Sequence, residues 1–324
     1  MMGNAAQENP IGALPEKATR SGGRTRSRVR RNRIGPLLIV SEKTSRLGGA
    51  LRVAEAVARR HGVNAHVVSF SRPLSSPSSY LLSRAADLER QELEACRRQA
   101  EHGRLRRQVH EAVGLSSFFS TAVETGELVS TAADTARVRK VEYILVALPE
   151  PGEPARAEME GAALRLAEAA DLPVLAVSAD ADLLPRSALV NIDPGEASMR
   201  AARATLPLVA DGGSLTLVHV VPETELGPAQ AQDWMSLGTR VLDKVLHRLH
   251  DTLRLAGNLE VRTMVLQGDP AEVLLELGRD FDLTAVGSPK RRSFGRLRMG
   301  SVSAGVLGGA GGSVLIVPAP RGRD

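Results

Sequence analysis

A basic loop bounded by glycines is the segment of this sequence whose residue types and spacing could do chemistry. It begins at Gly287, after the apolar run 283–286, and ends at Gly300-Ser301, before a predicted helix at 302–307. Glycine permits a close backbone turn, and a helix start offers free N–H groups and the positive end of a dipole. Five cations and no acid lie between: Lys290, Arg291, Arg292, Arg296 and Arg298. The loop predicts a phosphate-type ligand; the alternative is a glycine-rich turn with solvated basic side chains.

The elements that must position this loop form a pattern that occurs twice. Short apolar runs, each followed by a helical stretch, predict five strands in each half of the chain. The strands are predicted at 37–42, 65–70, 117–123, 143–148 and 173–178, and again at 188–193, 214–221, 259–266, 283–287 and 313–317. Strands alternating with helices predict two tandem α/β domains, each a doubly wound, five-stranded parallel sheet with helices on both faces. Such sheets bind ligands at the carboxyl ends of their strands, where the strand order reverses.

The predicted domains span residues 35–178 and 186–318, and a basic tail precedes them. Residues 1–34 hold eight basic side chains against two glutamates, so the tail carries more positive charge than the net +5 of the whole chain. Few apolar residues offset its ordering entropy, which predicts disorder. The tail is a solvated extension, a contact to nucleic acid or an anionic membrane surface through counterion release, or an organelle transit peptide. The absence of an apolar helical face disfavours the transit peptide.

Composition limits the remaining function classes. Aromatic residues make up 2% of the chain, which counts against a single-strand nucleic-acid binder because such proteins need stacking platforms. Cys96 is the only cysteine, so neither an intramolecular disulfide nor a cysteine metal site is expected. No apolar run approaches the ~18 residues that predict a transmembrane helix. We therefore expect a cytoplasmic protein with no transmembrane segment.

The loop resembles that of nucleotide-binding members of the universal stress protein family, which carry G-x-x-G, nine residues and then G-S/T. Gly287 matches the first glycine, and the nine residues 291–299 are followed by Gly300-Ser301. Four further stretches of the second half are similar to the family: 217–222, 268–272, 302–307 and 314–318. The first half resembles it by strand pattern alone. The resemblance implies Rossmann-like domains of the adenine-nucleotide alpha-hydrolase type, with ATP as ligand, accompanied by Mg²⁺.

The resemblance also implies roles for individual residues. Asp193 matches an acid that meets adenine or ribose, although a turn or helix-capping aspartate is the alternative. Val220 falls where a backbone group meets the adenine, while Ser301 and Val302 match donors to the phosphates. Pro289 lies on the loop without an N–H donor. Lys290 departs from the family because it replaces the second glycine; it either crowds the phosphates or supplies a charge-assisted contact.

The first half departs further from the family. Ala147 replaces the first glycine, and the segment 148–160 holds four glutamates, Glu150, Glu153, Glu158 and Glu160. Carboxylates at a phosphate site repel the ligand by several kcal/mol at close range. Glu42 occupies the place of Asp193. We therefore predict a degenerate copy that does not bind ATP in the same way.

These observations favour a non-enzymatic universal stress protein that binds ATP or a related adenine nucleotide in its second domain and acts in stress response or signalling. No catalytic residue and no protein metal site is assigned. One alternative is a slow ATP-hydrolysing enzyme that uses the same loop. The other is a nucleotide-free interaction module with a polyanion-binding tail. The fifth strands, 173–178 and 313–317, could pair edge to edge as an internal pseudo-dimer, or two chains could form a homodimer.

Overall fold

The computed structural model describes two compact units. They are Ile34–Leu184, here the first domain, and Pro185–Pro320, here the second domain. The described residues are 9–10, 34–42, 46–71, 84–221, 228–255, 258–288, 291–293, 296–298 and 301–320. Except for strand β1 (Asn9–Pro10) and Ile34, the predicted basic tail lies outside the described residues.

The first domain alternates strands and helices throughout. Its elements are β2 (Leu37–Glu42), α1 (Gly48–His61), β3 (Ala65–Ser71), α2 (Arg84–Val113), β4 (Phe119–Thr125), α3 (Leu128–Val138), β5 (Tyr143–Ala147), α4 (Ala155–Ala170) and β6 (Val174–Val177). The strands are all parallel, in the order β4-β3-β2-β5-β6. The chain first builds outward from β2 through β3 to β4, and then crosses back to β5. The strand order therefore reverses between β2 and β5.

The second domain repeats this arrangement. Its elements are β7 (Ser187–Asn191), α5 (Glu196–Thr205), a 3₁₀ turn (Leu206–Leu208), β8 (Ser214–Val221), α6 (Pro228–Leu255), β9 (Glu260–Gln267), α7 (Pro270–Gly278), β10 (Leu283–Ser288), β11 (Arg291–Ser293), β12 (Arg296–Arg298), α8 (Ser301–Gly309) and β13 (Ser313–Pro318). The parallel order β9-β8-β7-β10-β13 matches that of the first domain. Strand β1 pairs antiparallel with β9, while β11 and β12 form a separate two-stranded sheet. Two tandem doubly wound α/β domains are thus confirmed.

The central strands supply the core of each domain. All five residues of β5 are buried, as are the first five of β2, because helices cover both faces of a parallel sheet. Leu, Val, Ile and Ala dominate these strands, consistent with the small number of aromatic residues. The two longest helices, α2 and α6, carry many charged residues. Within the described ranges, no helix has the length and apolarity required to cross a membrane.

An acidic residue just before the fourth strand makes an equivalent hydrogen-bond contact in each domain. Glu142 Oε2 accepts a 2.7 Å hydrogen bond from the backbone N–H of Gly35, just before β2. In the second domain, Asp282 Oδ2 accepts from Arg186 N at 2.8 Å and from Ser187 N at 3.0 Å. The two acids therefore tie the start of the fourth strand to the start of the first.

An arginine of the first helix makes a second repeated closure. Arg52 Nη2 in α1 donates to the carbonyl of Ala181 at 3.0 Å, after β6. Arg200 Nη1 in α5 donates to the carbonyl of Pro318 at 2.7 Å, at the end of β13. In both domains the guanidinium therefore ties the first helix to the chain at or just after the end of the fifth strand.

Candidate nucleotide site

Three of the predicted contact residues lie at the carboxyl edge of neighbouring strands. Asp193 follows β7 by two residues, Val220 is the penultimate residue of β8, and Gly287 is the penultimate residue of β10. Strand β7 lies between the other two, and the strand order reverses between β7 and β10. The fold therefore brings these positions to the place where doubly wound sheets bind ligands.

Asp193 stabilises the turn that leads into α5. Its Oδ1 accepts a hydrogen bond from Gly195 N at 2.7 Å, and its carbonyl accepts one from Ser198 Oγ at 2.8 Å. This geometry is the turn role that the sequence left open as an alternative. The nucleotide contact of Asp193 stays a prediction.

The end of β7 is held by a histidine from β8. His219 Nδ1 lies 2.6 Å from the carbonyl of Ile192, and a carbonyl only accepts, so Nδ1 carries the proton. The next residue, Val220, is 6% exposed, so its side chain belongs to the core. The role implied for Val220 uses its backbone and is compatible with this burial.

Gly287 has a structural task that its sequence context did not reveal. A Cβ at this position would lie 2.5 Å from both the carbonyl carbon of Ala197 and the backbone nitrogen of Ser198. The first turn of α5 therefore packs directly on the backbone of β10, and any side chain at Gly287 would collide with it. The sequence suggested a close turn; the structure shows a close helix-to-strand contact.

Helix α8 supplies the donors of the candidate phosphate site. It begins at Ser301, so the N–H groups of Ser301, Val302 and Ser303 have no partner within the helix. The Ser303 hydroxyl belongs to a residue that is 1% exposed, and among the described residues it has no hydrogen-bond partner. Buried hydroxyls are normally paired, so these groups fit a bound oxygen-rich ligand. Sequence reasoning missed Ser303, although its position two residues after Ser301 in the first helical turn was visible.

Three predicted positions of the loop, Pro289, Lys290 and Gly300, lie outside the described residues. The roles implied for them stay predictions. The loop also contains the hairpin β11–β12, where the sequence predicted a loop and no strands.

The first domain has a cavity of about 120 Å³ at the corresponding edge. The ends of β2 and β5 and the start of α4 line it with Glu42, Arg46, Ala147, Leu148, Pro149, Glu150, Glu153, Ala155, Met159 and Ala179. Three carboxylates and one guanidinium make this lining net negative. No cluster of three or more potential metal ligands occurs in the described part of the chain. The lining is thus unsuited to a phosphate chain.

A polar network lies beside this cavity. Ser69 on β3 is fully buried and donates to Glu101 Oε1 at 2.7 Å. Arg104 Nε and Nη2 donate to the two oxygens of Glu101, at 3.0 and 2.6 Å. Arg104 also reaches the carbonyl of Glu42, at 3.3 Å. The strand register places His219 of the second domain at the position that Ser69 holds in the first. A histidine therefore stabilises this edge in the second domain, whereas the Ser69, Glu101 and Arg104 side chains stabilise it in the first.

Comparison with known proteins supports the assignment of the second half. The model of the universal stress protein family matches residues 185–318. A universal stress protein from Archaeoglobus fulgidus DSM 4304 is similar in structure, with a TM-score of 0.58 and 16% identity, over 88% of this chain and 97% of that chain. A functionally unknown protein from Pseudomonas aeruginosa PAO1 gives a TM-score of 0.53 at 16% identity, over 89% of this chain and 94% of that chain.

These structural similarities extend over both halves of the chain and, at this identity, concern the fold. No curated protein matches the sequence. The family match is confined to the half that contains Asp193, Gly287 and the start of α8. The second domain therefore matches the universal stress protein family over residues 185–318.

Proposed function

We propose that the second domain binds ATP or a related adenine nucleotide, with Mg²⁺, without turning it over. The chain would act in stress response or signalling through the nucleotide-bound state. One observation carries the proposal: α8 begins with N–H groups that have no partner within the helix, and its first turn holds the buried Ser303 hydroxyl, which has no partner among the described residues. A helix start of this kind suits a phosphate group.

Different residues would contact the adenosine part and the phosphate part of the ligand. The backbone of Val220 and the carboxylate of Asp193 would meet the adenosine part, at the ends of β8 and β7. Ser301, Val302 and Ser303 would donate to the phosphates from the first turn of α8. Lys290 would add a charge-assisted contact. Gly287 would contribute indirectly, by allowing α5 to approach β10.

We expect one ATP per chain, because the corresponding cavity of the first domain is lined by three glutamates. The test is equilibrium titration of the full chain with labelled ATP in the presence of Mg²⁺. Ser301→Asp should weaken binding by about 30-fold or more, since a carboxylate beside the phosphates costs at least ~2 kcal/mol. Ser236→Asp adds the same charge to an exposed position on α6 and should leave binding unchanged.

Two outcomes of this titration would contradict the proposal. If Ser301→Asp and Ser236→Asp bind ATP equally well, the site is misplaced. Two ATP molecules per wild-type chain would show that the first domain also binds. Phosphate release measured in the same solutions separates binding from catalysis. We expect none above the buffer control, and measurable release would favour the alternative of a slow ATP-hydrolysing enzyme.

The hydroxyl of Ser303 provides an independent check. Ser303→Ala removes a buried group without a partner among the described residues, so the free energy of unfolding should stay the same or rise slightly. If the hydroxyl meets a phosphate oxygen, ATP affinity should fall by roughly 5- to 15-fold, the equivalent of about 1–1.5 kcal/mol. Loss of stability with unchanged affinity would assign Ser303 to the fold and remove it from the site.

The proposal also includes the cellular setting and the assembly of the chain. We place the protein in the cytoplasm. The fifth strands, 173–178 and 313–317, would pair as an internal pseudo-dimer, or two chains would form a homodimer. Both arrangements would protect strand edges that otherwise present unpaired backbone groups.

A further inference from the structure

The amino-terminal half of α2 lies outside the packed core of the first domain. No side chain in the range 88–100 is buried, and Leu93 is 54% exposed. The helix meets the domain further along, where Glu101, Leu105 and Val109 are buried. Isolated helices shorter than ~12–15 residues are marginal in water, because most helical stability comes from packing. This half of α2 therefore gains little stability from the domain itself.

A stripe of exposed residues follows α2 on the side away from the domain. A helix turns by about 100° per residue, so Cys96 lies directly opposite the buried Leu105. Steps of four and three residues, the spacing of a seam between two helices, extend from Cys96 in both directions. They define the α2 stripe, which consists of Glu89, Leu93, Cys96, Ala100, Gly103 and Arg107. Five of these residues are exposed, and the glycine is partly exposed.

The α2 stripe is complementary to itself when two copies of the helix lie antiparallel. With a two-fold axis at residue 98, three kinds of pair form between the copies: Glu89 with Arg107, Leu93 with Gly103, and Cys96 with Ala100. Opposite charges then meet at both ends of the stripe, and a large side chain meets a small residue between them. A parallel pair would instead place each charge opposite the same charge of the second copy, which costs free energy. The pattern therefore favours the antiparallel arrangement.

The other charges of α2 are segregated in the same sense. Residues 88–94 hold three glutamates and one arginine, whereas residues 97–107 hold five arginines and one glutamate. An antiparallel pair places the acidic segment of each copy beside the basic segment of the other. Such complementarity steers association and fixes the alignment of the two surfaces.

We propose that α2 pairs antiparallel with α2 of a second copy of this chain through the α2 stripe. The pairing covers the half of the helix that its own domain leaves exposed. It goes beyond the nucleotide site and does not depend on it, since every residue of the stripe belongs to the first domain. It also differs from pairing of the fifth strands, because it joins two helices.

The stripe supplies a charge-exchange test. Sedimentation equilibrium of the full chain measures the dissociation constant of the dimer. Arg107→Glu brings two glutamates together and Glu89→Arg brings two arginines together, so each variant should raise the dissociation constant about 10-fold or more. The double variant Glu89→Arg/Arg107→Glu restores both ion pairs with their charges exchanged, and its dissociation constant should return near the wild-type value. Arg98→Glu makes the same charge change on the other side of the helix, at an exposed position, and should have little effect.

The single cysteine of the chain gives an independent readout. In the antiparallel pair, the two copies of Cys96 are offset by four residues, which is ~6 Å along the helix axis. A short bismaleimide should therefore link two wild-type chains through Cys96, and Arg107→Glu should abolish most of this product at the same protein concentration.

Four outcomes would overturn the proposal. The first is a wild-type chain that stays monomeric at every concentration tested. The second is an equal effect of Arg107→Glu and Arg98→Glu, which would show a general charge effect. The third is a double variant that dimerises as poorly as the single variants, which would contradict the antiparallel alignment. The fourth is a dimer that persists in both single variants without cross-linking at Cys96, which would place the contact on another surface such as the fifth strands. Urea unfolding checks that every variant remains folded.

Discussion

Replacing Arg104 by methionine is expected to lower the free energy of unfolding by about 2 kcal/mol, below the range for breaking a fully buried ion pair because the Arg104 side chain is 27% exposed. The partner Glu101 is 8% exposed, and Arg104 satisfies both of its carboxylate oxygens. Without Arg104, the Ser69 hydroxyl still donates to Glu101, but each carboxylate oxygen loses a guanidinium donor. Methionine preserves most of the side-chain volume, so the loss measures charge and hydrogen bonding. Urea unfolding of the full chain provides the measurement.

Two further variants make this experiment specific. Arg106→Met changes the same residue type on an exposed position of α2 and should alter the unfolding free energy by less than about 0.5 kcal/mol. The double variant Glu101→Gln/Arg104→Met should recover part of the loss, because a buried amide costs less than a buried carboxylate. Equal stability of Arg104→Met and Arg106→Met would show that the network contributes little.

Replacing Gly287 by alanine is expected to destabilise the second domain by about 1–3 kcal/mol, as overpacking of a close contact does. The added Cβ would lie 2.5 Å from backbone atoms of Ala197 and Ser198, and backbone cannot rotate away as a flexible side chain can. Gly311→Ala is the matched control, since an added Cβ there would meet no atom within 4 Å. Urea unfolding measures both variants.

The same variant separates two roles for this glycine. If Gly287 serves the packing of α5, loss of stability should accompany any loss of ATP affinity. Unchanged stability combined with weaker ATP binding would instead place the ligand against Gly287. That result would contradict the structural role assigned to this glycine.

Local patterns were enough to predict both sheets. Every predicted strand is present within a few residues. The central strands are buried and need continuous apolar runs, and polar turns separate them from the next element. Asp269 lies directly before the proline that begins α7 and caps this helix, with Oδ1 accepting from Ala271 N at 2.8 Å and Glu272 N at 3.1 Å. These features depend on neighbours along the chain, which a sequence displays directly.

Features that depend on distant partners could not be predicted. Ser69 and Glu101 are 32 residues apart, and only the packing of α2 on β3 brings them together. Likewise, the reason for glycine at position 287 lies on α5, which is remote in sequence. The hairpin β11–β12 lacks the alternation of apolar and polar residues that predicts a strand, because arginines occupy most of its positions.

The repeated closures bear on the history of the chain. Glu142 and Asp282 differ in side-chain length, yet each ties the fourth strand to the first, and Arg52 and Arg200 make the same contact to the end of the fifth. Two copies that share such contacts are what duplication of one ancestral domain would leave. Only the second domain has a glycine-serine pair after the basic loop that follows its fourth strand. The same set of closing contacts therefore stabilises two domains whose sequences differ at the carboxyl edge of the sheet.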